Sequence, residues 1–479
     1  MKINSMKVTR DLDIKPLFYL LILLSFFTGC GTVETTDEER PNILFFLVDD
    51  QRNDVMSSEG HPIVKTPTVD KLAENGIKFN NAFVTTSICA ASRASILTGL
   101  YEVKHNYTFG KDPIKAEYVA SSYPYVLKQA GYTTGFIGKF GVRIEETDSL
   151  LKSMFDYYKP SPRSTPHFVE LPDGTKRHSA EIKGDQAIEF INNQTADQPF
   201  NLSISFNAVH AVDGSLTPGN EGHYPYPKAV ANMYEGIEMP KPRLSDPEIY
   251  ENHPDFLKNS FNRERFFWRW DTEEKYQTNM RAYFRMVSGY DNVMKRVIEA
   301  LEKNGLDKNT IIIFSSDNGY YMGNRGFAGK WSHYEESLRV PMIIYDPRLP
   351  KSAQGKTSDK MALNIDIPAT ILDYAGIPQP QLYQGESLSP IVNNENVASW
   401  RDSFFCEHRM GNEKIPKYTG IRGERYVYAN YYEQNPPYEY LHDLEKDPDQ
   451  LINFVNDPAY KATLLEMRSQ VEKQENKLK

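Results

Sequence analysis

Uninterrupted apolar runs indicate buried strands in this chain. The first run, NILFFLV at positions 42–48, is apolar from Ile43 to Val48 and is followed by Asp49 and Asp50. A strand that is apolar at successive positions suits a parallel sheet covered on both faces, whereas a half-exposed strand alternates. The strands predicted on this pattern are 42–48, 201–206, 310–315 and 341–345.

Helical patterns separate these predicted strands. They cover 69–75, 125–131, 185–192 and 283–304. Strands that alternate with helices predict an α/β fold. Open α/β sheets place their functional sites at the carboxyl ends of strands, and Asp49, His210 and Asp317 all fall at or just after such ends.

Two further segments break this alternation. Residues 212–275 are rich in Pro, Tyr, Asn and charge without a clear period, which predicts a long surface excursion that could roof a site. From about residue 376 the pattern changes to short aromatic strands at 426–432 and 438–444, followed by a charged helix from about 460. We therefore predict a catalytic domain over 41–375 and a smaller α+β subdomain over 376–479 with a short antiparallel sheet.

The overall composition is that of an ordinary globular protein, and the charge narrows the class of partner. The chain has 479 residues, 40% of them hydrophobic and 25% charged, with a formal net charge of −9. Nucleic-acid binding normally needs a basic face, so we predict no nucleic-acid partner. A local basic pocket for an anionic substrate is compatible with an acidic total.

The first forty residues have the pattern of an export signal. Four basic residues precede an apolar run at 17–27, which is too short to span a bilayer comfortably. Thr28, Gly29 and Cys30 resemble a bacterial lipobox, which implies lipidation of Cys30. We predict a signal peptide over 1–29, a lipidated tether over 30–40, and a membrane-anchored protein in the periplasm or at the outer membrane or cell surface. An uncleaved anchor helix or an ordinary signal peptide with an accidental cysteine are the alternatives.

Each of the three cysteines is assigned to a separate role, so we predict no disulfide framework. Cys30 is assigned to the lipid, and Cys406 lies in the strand-like run SFFCEH, where we predict a buried apolar residue. The third, Cys89, opens the segment CAASRASILTG at 89–99.

This segment resembles the signature of the formylglycine-dependent sulfatases, C-x-P/A-S-R followed by x-x-x-L-T-G. The resemblance implies that a separate maturase oxidises Cys89 to formylglycine (3-oxoalanine), whose hydrate attacks sulfur. Its second hydroxyl then loses a proton and expels sulfate, which is nucleophilic catalysis with a self-cleaving intermediate. Ala91 stands where many members have proline, and this implies a radical-type maturase.

Two acidic stations predict a metal site. Asp49 and Asp50 match the aspartate pair of sulfatases, and Asp317 with Asn318 resembles their S-D-N-G station. Three carboxylates and one amide oxygen suit a hard cation, and we predict one Ca²⁺ per chain, with the modified Cys89 completing the site. An aspartate pair alone is more often a solvated turn.

Basic side chains must offset the charge of the sulfate. By the same resemblance these are Arg93, Lys139 in GYTTGFIGKFG and Lys330 in GKWSHYEESLRVP. Two ammonium groups at sulfate oxygens would stabilise the charge that develops in sulfuryl transfer. A lone lysine is otherwise usually a solvated surface residue.

Histidines complete the predicted chemistry. His210 in SFNAVHA resembles the N-x-P-H histidine of the family and could protonate the leaving alcohol, although a purely structural role is the alternative. Many members also carry a histidine just after the first lysine, in G-K-W-H, whereas Phe140 and Gly141 follow Lys139 here. We therefore consider His105 and His333 possible catalytic residues. His178 or another residue could equally substitute.

The resemblance covers most of residues 41–455 and implies the alkaline-phosphatase-like mixed sheet sandwiched by helices. An exported sulfatase most often meets sulfated glycans outside the cell, so we predict a sulfated polysaccharide or oligosaccharide as substrate. Within the excursion, RERFFWRWD offers Arg265 and Arg269 as substrate-binding residues, unless this stretch is a packed aromatic helix. A phosphonate or phosphodiester hydrolase and an inactive glycan-binding lipoprotein are the alternative functions.

Overall fold

The computed structural model describes residues 40–145, 147–162, 167–213, 222–395, 397 and 399–479. The predicted signal peptide, tether and lipidated Cys30 lie outside these residues and stay predictions. No helix within the described ranges is long and apolar enough to cross a membrane.

The strands, numbered in chain order, are β1 Asn42–Val48, β2 Ile77–Phe79, β3 Ala82–Phe83, β4 Thr133–Gly138, β5 Tyr157–Pro160, β6 Phe168–Glu170, β7 Lys176–His178, β8 Phe200–Ser205, β9 Thr310–Ser316, β10 Met342–Tyr345, β11 Lys356–Ser358, β12 Ala362–Leu363, β13 Ser403–His408, β14 Tyr418–Gly423, β15 Tyr426–Tyr431 and β16 Tyr438–Asp443.

The α-helices are α1 Pro67–Asn75, α2 Cys89–Thr98, α3 Glu102–His105, α4 Ala116–Val119, α5 Tyr123–Gln129, α6 Thr147–Met154, α7 Ser179–Asn192, α8 Pro247–Glu251, α9 Asp255–Lys258, α10 Phe261–Arg269, α11 Glu273–Lys303, α12 Glu335–Leu338, α13 Asp366–Tyr374, α14 Ser389–Val392 and α15 Lys461–Leu478.

An eight-stranded mixed sheet forms the centre, in the order β11-β2-β10-β9-β1-β8-β4-β5. β1 pairs in parallel with β8 and β9, and β4 pairs in parallel with β8 and β5, whereas β10 is antiparallel to β9. Because the strands in the middle of the sheet are parallel, their carboxyl ends lie at one edge. Val48 is opposite Ser316, and Leu47 is opposite Ser205.

The sheet is covered by helices on both faces, which is why β1 is apolar at successive positions. Phe45 and Leu47 belong to one buried core, and Leu44 and Phe46 belong to the other. Helices α2, α5 and α13 contribute to the first core, and α7 and α11 to the second. The predicted α/β fold with a mixed sheet between helices is confirmed.

The C-terminal residues form an antiparallel sheet in the order β13-β14-β15-β16. Phe404 and Tyr428 of this sheet share the first core with the large sheet, and the Glu407 N–H donates to the Thr85 carbonyl at 2.9 Å. Cys406 is completely buried in the same core, which confirms its prediction as an apolar residue. Residues from Arg40 to Lys479 form one compact unit, and a division at 376 stays a prediction.

The predicted excursion over 212–275 contains more helix than its composition suggested. Its second half carries α8, α9 and α10, and α11 begins at Glu273, ten residues before the helix predicted from the apolar period. The first three turns of α11 carry many charged residues, which obscure the helical period of the apolar residues in the sequence. Tyr276 and Met280 in these turns are buried in the second core, and this packing explains why the turns are helical.

Candidate active site

The acidic residues of the site follow two adjacent strands. Asp49 and Asp50 come directly after β1, and Asp317 and Asn318 directly after β9. The Asp317 N–H donates to the Val48 carbonyl at 3.1 Å, and the Asp50 N–H donates to Asp317 Oδ1 at 3.2 Å. The strand register therefore brings together two pairs of side chains, although the two pairs lie about 270 positions apart in the sequence.

Helix α2 presents Cys89 and Arg93 to these carboxylates. Cys89 is the first residue of the helix and Arg93 follows one turn later, so both lie on the same helix face. Every residue of α2 is buried, and Cys89 is 5% exposed. The partial positive charge of a helix N-terminus favours an anion at this position.

Arg93 connects three parts of the site. Its Nε donates to Asp317 Oδ2 at 2.8 Å, its Nη2 lies 3.6 Å from Asp49 Oδ2, and its Nη1 donates to the Lys139 carbonyl at 2.7 Å. Nη1 also contacts the Ser205 hydroxyl at the end of β8. The planar guanidinium can satisfy these partners together because its donors point in different directions.

The two predicted lysines contact the aspartate pair. Lys139 Nζ contacts Asp49 Oδ2, and Lys330 Nζ contacts Asp50 Oδ1. Both lysines are buried, as are the carboxylates. The cluster thus contains three carboxyl groups and three cationic side chains, and its formal charges balance.

This balance controls the protonation of the acids. Burial alone would raise the pKa of Asp49, but Lys139 with its cationic neighbours holds that pKa below the usual value. The pKa of Asp50 is likewise lowered, against burial, chiefly by Lys330. Burial and the charge of Asp49 raise the pKa of Asp317 to about 6, although Arg93 opposes them. The aspartate pair is therefore ionised at neutral pH.

Cys89 has the opposite tendency. Burial raises the pKa of its thiol, although Lys139 and Lys330 oppose that effect. The nucleophilic form of cysteine is the thiolate, so the unmodified side chain is a neutral and poor nucleophile at neutral pH.

Two buried oxygen atoms are left for a ligand. Asp49 Oδ1 and Asn318 Oδ1 have no hydrogen-bond partner among the described residues, and an unsatisfied buried acceptor costs about 1–3 kcal/mol. The Asn318 amide nitrogen donates to Asp50 Oδ1 at 2.6 Å, which turns its oxygen away from that carboxylate. Carboxylate and amide oxygens are the ligands that Ca²⁺ and Mg²⁺ prefer, so these residues fit a hard divalent cation.

The carboxylates of the predicted ligand set differ in their present contacts. The ligand atoms of Asp49, Asp50 and His210 lie within 4.8 Å of one another, a group that does not include Asp317. Asp317 instead accepts hydrogen bonds from Arg93 Nε and from the Asp50 N–H. The predicted role of Cys89 as a ligand stays a prediction.

His210 lies beside the aspartate pair. Its Nδ1 is 2.7 Å from the Ala211 carbonyl and therefore carries the proton, because a carbonyl can only accept. Its Nε2 faces the site, 3.7 Å from Asp50 Oδ2. Burial lowers the pKa of His210, with Asp50 opposing.

The other two predicted histidines lie elsewhere. His105 Nε2 is 3.1 Å from Ser95 Oγ, and its Nδ1 accepts from the Tyr107 N–H at 3.0 Å. His333 bonds Tyr431 and His442 in the buried aromatic layer beneath the C-terminal sheet. Neither residue lines the cavity described below, so the structure does not bring them to the catalytic cluster.

Gly141 occupies the position at which a histidine is expected after Lys139. Its φ of 78° is in the left-handed region, which disfavours residues with a Cβ. A Cβ added here would lie 2.5 Å from Arg93 Cδ. A side chain at this position would therefore displace Arg93.

A cavity of about 920 Å³ opens above Cys89, Asp49, Lys139, His210 and Lys330. Helix α10 and the loop between β13 and β14 wall one side, and the segments after β4 and β5 wall another. Contributors to these walls include Phe140, Arg143, His167, Asp213, Phe261, Arg265, Trp331, Met410 and Ile415. His167 and Asp213 belong to no sequence motif, because only the fold brings them to the cavity.

The two predicted substrate arginines differ in position. Arg265 lines the cavity, lies over the rings of Phe261 and Trp331, and pairs with Asp213. Arg269 is completely buried, donates to Asp213 Oδ1 at 2.5 Å and does not line the cavity. Arg265 alone of the two lines the space in which a substrate would bind.

The fold and this site define a hydrolase of the alkaline-phosphatase-like superfamily. Residues 41–377 match the sulfatase family and residues 323–477 match the N-sulphoglucosamine sulphohydrolase C-terminal family. The chain belongs to the sulfatase family and is a sulfuric ester hydrolase.

Its similarity to named sulfatases extends over most of the chain. It is 28% identical to an N-acetylglucosamine-6-O-sulfatase of Bacteroides thetaiotaomicron, covering 93% of this chain and 88% of that protein. It is 26% identical to an ulvan-active sulfatase of Formosa agariphila, covering 98% and 88%. A solved structure in complex with its substrate D-glucosamine-2-N,6-O-disulfate is 25% identical and superposes with a TM-score of 0.69, covering 92% and 98%.

Replacement of Gly141 by alanine tests the packing of Arg93. The added Cβ meets Arg93 Cδ, so we expect Gly141→Ala to lower kcat/KM for 4-nitrophenyl sulfate on the order of 100-fold, as small displacements of catalytic groups do. Gly60→Ala is the matched control, because Gly60 has a φ of 77° and nothing within 4 Å of the added Cβ. Both variants should lose about 1–2 kcal/mol of stability. Equal activities in the two variants would contradict the prediction that a side chain at position 141 displaces Arg93.

Proposed function

We propose that the protein hydrolyses sulfate esters on a sulfated polysaccharide or oligosaccharide through Cys89 converted to formylglycine and with one bound Ca²⁺. The observation that carries the proposal is the position of Cys89 at the N-terminus of α2, beside three carboxylates and three cationic side chains at the base of a cavity. The named activities of the glycan sulfatases similar to this chain support the substrate class.

The state of Cys89 supports its conversion. A buried thiol with a raised pKa is a poor nucleophile, whereas hydrated formylglycine supplies a hydroxyl that can attack sulfur. Ala91, at the third position of the signature, is small and fully buried two residues into α2. By family resemblance, this alanine fits a radical-type maturase as the partner.

The charges at the base of the cavity suit the binding of a metal cation and then of an anionic sulfate ester. Asp49, Asp50, Asp317 and Asn318 would hold Ca²⁺, which polarises sulfate oxygens when bound. Because the carboxylates and the cationic side chains already balance, a divalent cation makes the cluster positive. A positive, desolvated cluster attracts an anionic sulfate ester more strongly than a neutral ester.

The remaining side chains have separable tasks. Lys139 and Lys330 lie where they can donate to sulfate oxygens, and Arg93 holds the Lys139 backbone in place. The Nδ1 proton of His210 is donated to the Ala211 carbonyl, so Nε2 can donate a proton only when both ring nitrogens are protonated, a form that the nearby Asp50 carboxylate favours. In that form His210 can protonate the oxygen of the departing alcohol. Proton donation at that oxygen matters most for sugars, because their alcohols are poor leaving groups.

Arg265 is proposed as the substrate-binding residue of the cavity wall. Asp213 neutralises part of its charge, and the Asp213 side chain remains 39% exposed. The pair therefore offers both a donor and an acceptor to a sugar.

Export and lipidation at Cys30 would place this site outside the cytoplasm. Radiolabelled palmitate should be incorporated into the wild type and not into Cys30→Ala. Equal labelling of the two proteins would count against the lipid anchor.

Sulfate release from defined glycans tests the proposed function. Protein from a maturase-competent host should show a loss of about 18 Da at Cys89 by peptide mass spectrometry and should release sulfate from sulfated oligosaccharides. Cys89→Ala should be folded and inactive. Phenylphosphonate esters serve as the comparison substrates, and faster turnover of these than of any sulfate ester would favour a phosphonate hydrolase instead. Full activity in Cys89→Ala would contradict the nucleophile.

The two arginines of α10 provide a matched pair for substrate binding. Loss of a charged hydrogen bond costs about 1.5–3 kcal/mol, which corresponds to roughly 10- to 150-fold in kcat/KM. Arg265→Ala should show that loss on the glycan substrate and a much smaller one on 4-nitrophenyl sulfate. Arg269→Ala, which removes a buried partner of Asp213, should lower the melting temperature and affect both substrates alike. Equal losses on both substrates in Arg265→Ala would show that it too only supports the fold.

A further inference from the structure

His167 is a second histidine of the cavity. The chain has ten histidines, all of them among the described residues, and only His167 and His210 line the cavity above Cys89. His167 directly precedes β6 and is 6% exposed. In this protein the second cavity histidine therefore directly precedes β6, whereas position 141 is a glycine.

The contacts of His167 identify its tautomer. Its Nε2 lies 2.9 Å from the His210 carbonyl, so Nε2 carries the proton and donates. Its Nδ1 is then the unprotonated nitrogen, which is buried and has no hydrogen-bond partner among the described residues. Burial lowers the pKa of His167 to about 3, which keeps the ring neutral.

The ring and the backbone of His167 are held by contacts with α7 and His178. Its backbone carbonyl accepts from the Ser179 N–H at 2.6 Å, at the start of α7. The ring stacks on His178, with centroids 5.8 Å apart and an interplanar angle of 17°. His178 is itself fixed, because its Nδ1 accepts from the Ala180 N–H and its Nε2 lies 3.0 Å from the Pro225 carbonyl.

His210 depends on this support, because it lies in a loop beyond the end of β8. Its N–H donates to the Asn207 carbonyl at 2.9 Å and its Nδ1 to the Ala211 carbonyl, which leaves its own carbonyl for His167. The series of contacts from α7 through His178 to His167 thus ends in a hydrogen bond to His210, whose Nε2 faces the site.

We propose that His167 is the positioning residue of His210: it fixes the His210 backbone so that Nε2 stays directed at the leaving-group oxygen. This inference rests on the proposed function, in which His210 acts at that oxygen. His105, His178 and His333 cannot take this role, because their ring nitrogens are engaged with partners outside the cavity.

Two substrates and a double-mutant cycle test the assignment. 4-Nitrophenyl sulfate has a good leaving group and phenyl sulfate a poor one, so only phenyl sulfate needs help at the leaving oxygen. His167→Leu should lower kcat for phenyl sulfate by about 10- to 100-fold, leave KM within about twofold, and change turnover of 4-nitrophenyl sulfate little. In a His210→Ala background, His167→Leu should have no further effect, because coupled residues are not additive.

Conservative variants separate the hydrogen bond from the volume of the ring. His167→Gln can place an amide N–H near the position of Nε2 and should recover most of the loss, whereas His167→Asn is too short and should not. If His167→Leu fails to fold, the comparison of Gln with Asn decides the question, and equal activities in these two would overturn the assignment.

Three further outcomes would overturn it. These are additive losses in the His210→Ala background, equal losses on the two esters, and a wild-type level of phenyl sulfate turnover in His167→Leu. A matured wild type that hydrolyses neither ester would refute the proposed function and this assignment with it. A wild type that is active, with no leaving-group dependence in His167→Leu, would refute the positioning role alone.

Discussion

Charge compensation inside the protein determines the design of this site. Asp49, Asp50 and Asp317 are buried together, and an isolated buried charge costs several kcal/mol. Arg93, Lys139 and Lys330 compensate them at contact distance, and each comes from a different part of the chain. Removing one member of such a buried pair typically costs about 3–5 kcal/mol. The contacts that stabilise the fold at this edge are therefore the same contacts that fix the proposed catalytic groups.

The fold supplies the positions at which this compensation is possible. Parallel strands β1, β8, β9 and β4 end at one edge of the sheet, and their following residues supply carboxylates, His210 and Lys139. Helix α2 starts at the same edge and brings Cys89 with Arg93. Gly141 then closes the arrangement, because only a residue without a Cβ leaves room for Arg93. A cluster neutral by itself can accept a divalent cation and then an anionic substrate.

Site residues that belong to long sequence motifs could be predicted from the sequence, whereas residues that reach the site only through packing could not. The strand 42–48 and the stations at Cys89, Asp317 and Lys330 each have local patterns, and the structure brings them together. The cavity histidine His167 has no local pattern, because it reaches the cavity only through the packing of β6 and α7. Arg265 and Arg269 look alike in sequence and both pair with Asp213, and only the fold shows that Arg265 lines the cavity whereas Arg269 does not.

The central claim is that Arg93 joins the carboxylates into one cation-binding unit, and calcium titration of Arg93→Lys tests it most directly. Lysine keeps the charge but cannot donate to Asp317, the Lys139 carbonyl and Ser205 at once. Arg422→Lys is the control, because Arg422 is a buried arginine that pairs with Glu335 away from the site. By isothermal titration calorimetry, Ca²⁺ affinity should fall by at least about tenfold in Arg93→Lys, equivalent to about 1.4 kcal/mol, and be unchanged in the control. Unchanged affinity and sulfate turnover in Arg93→Lys would contradict the account.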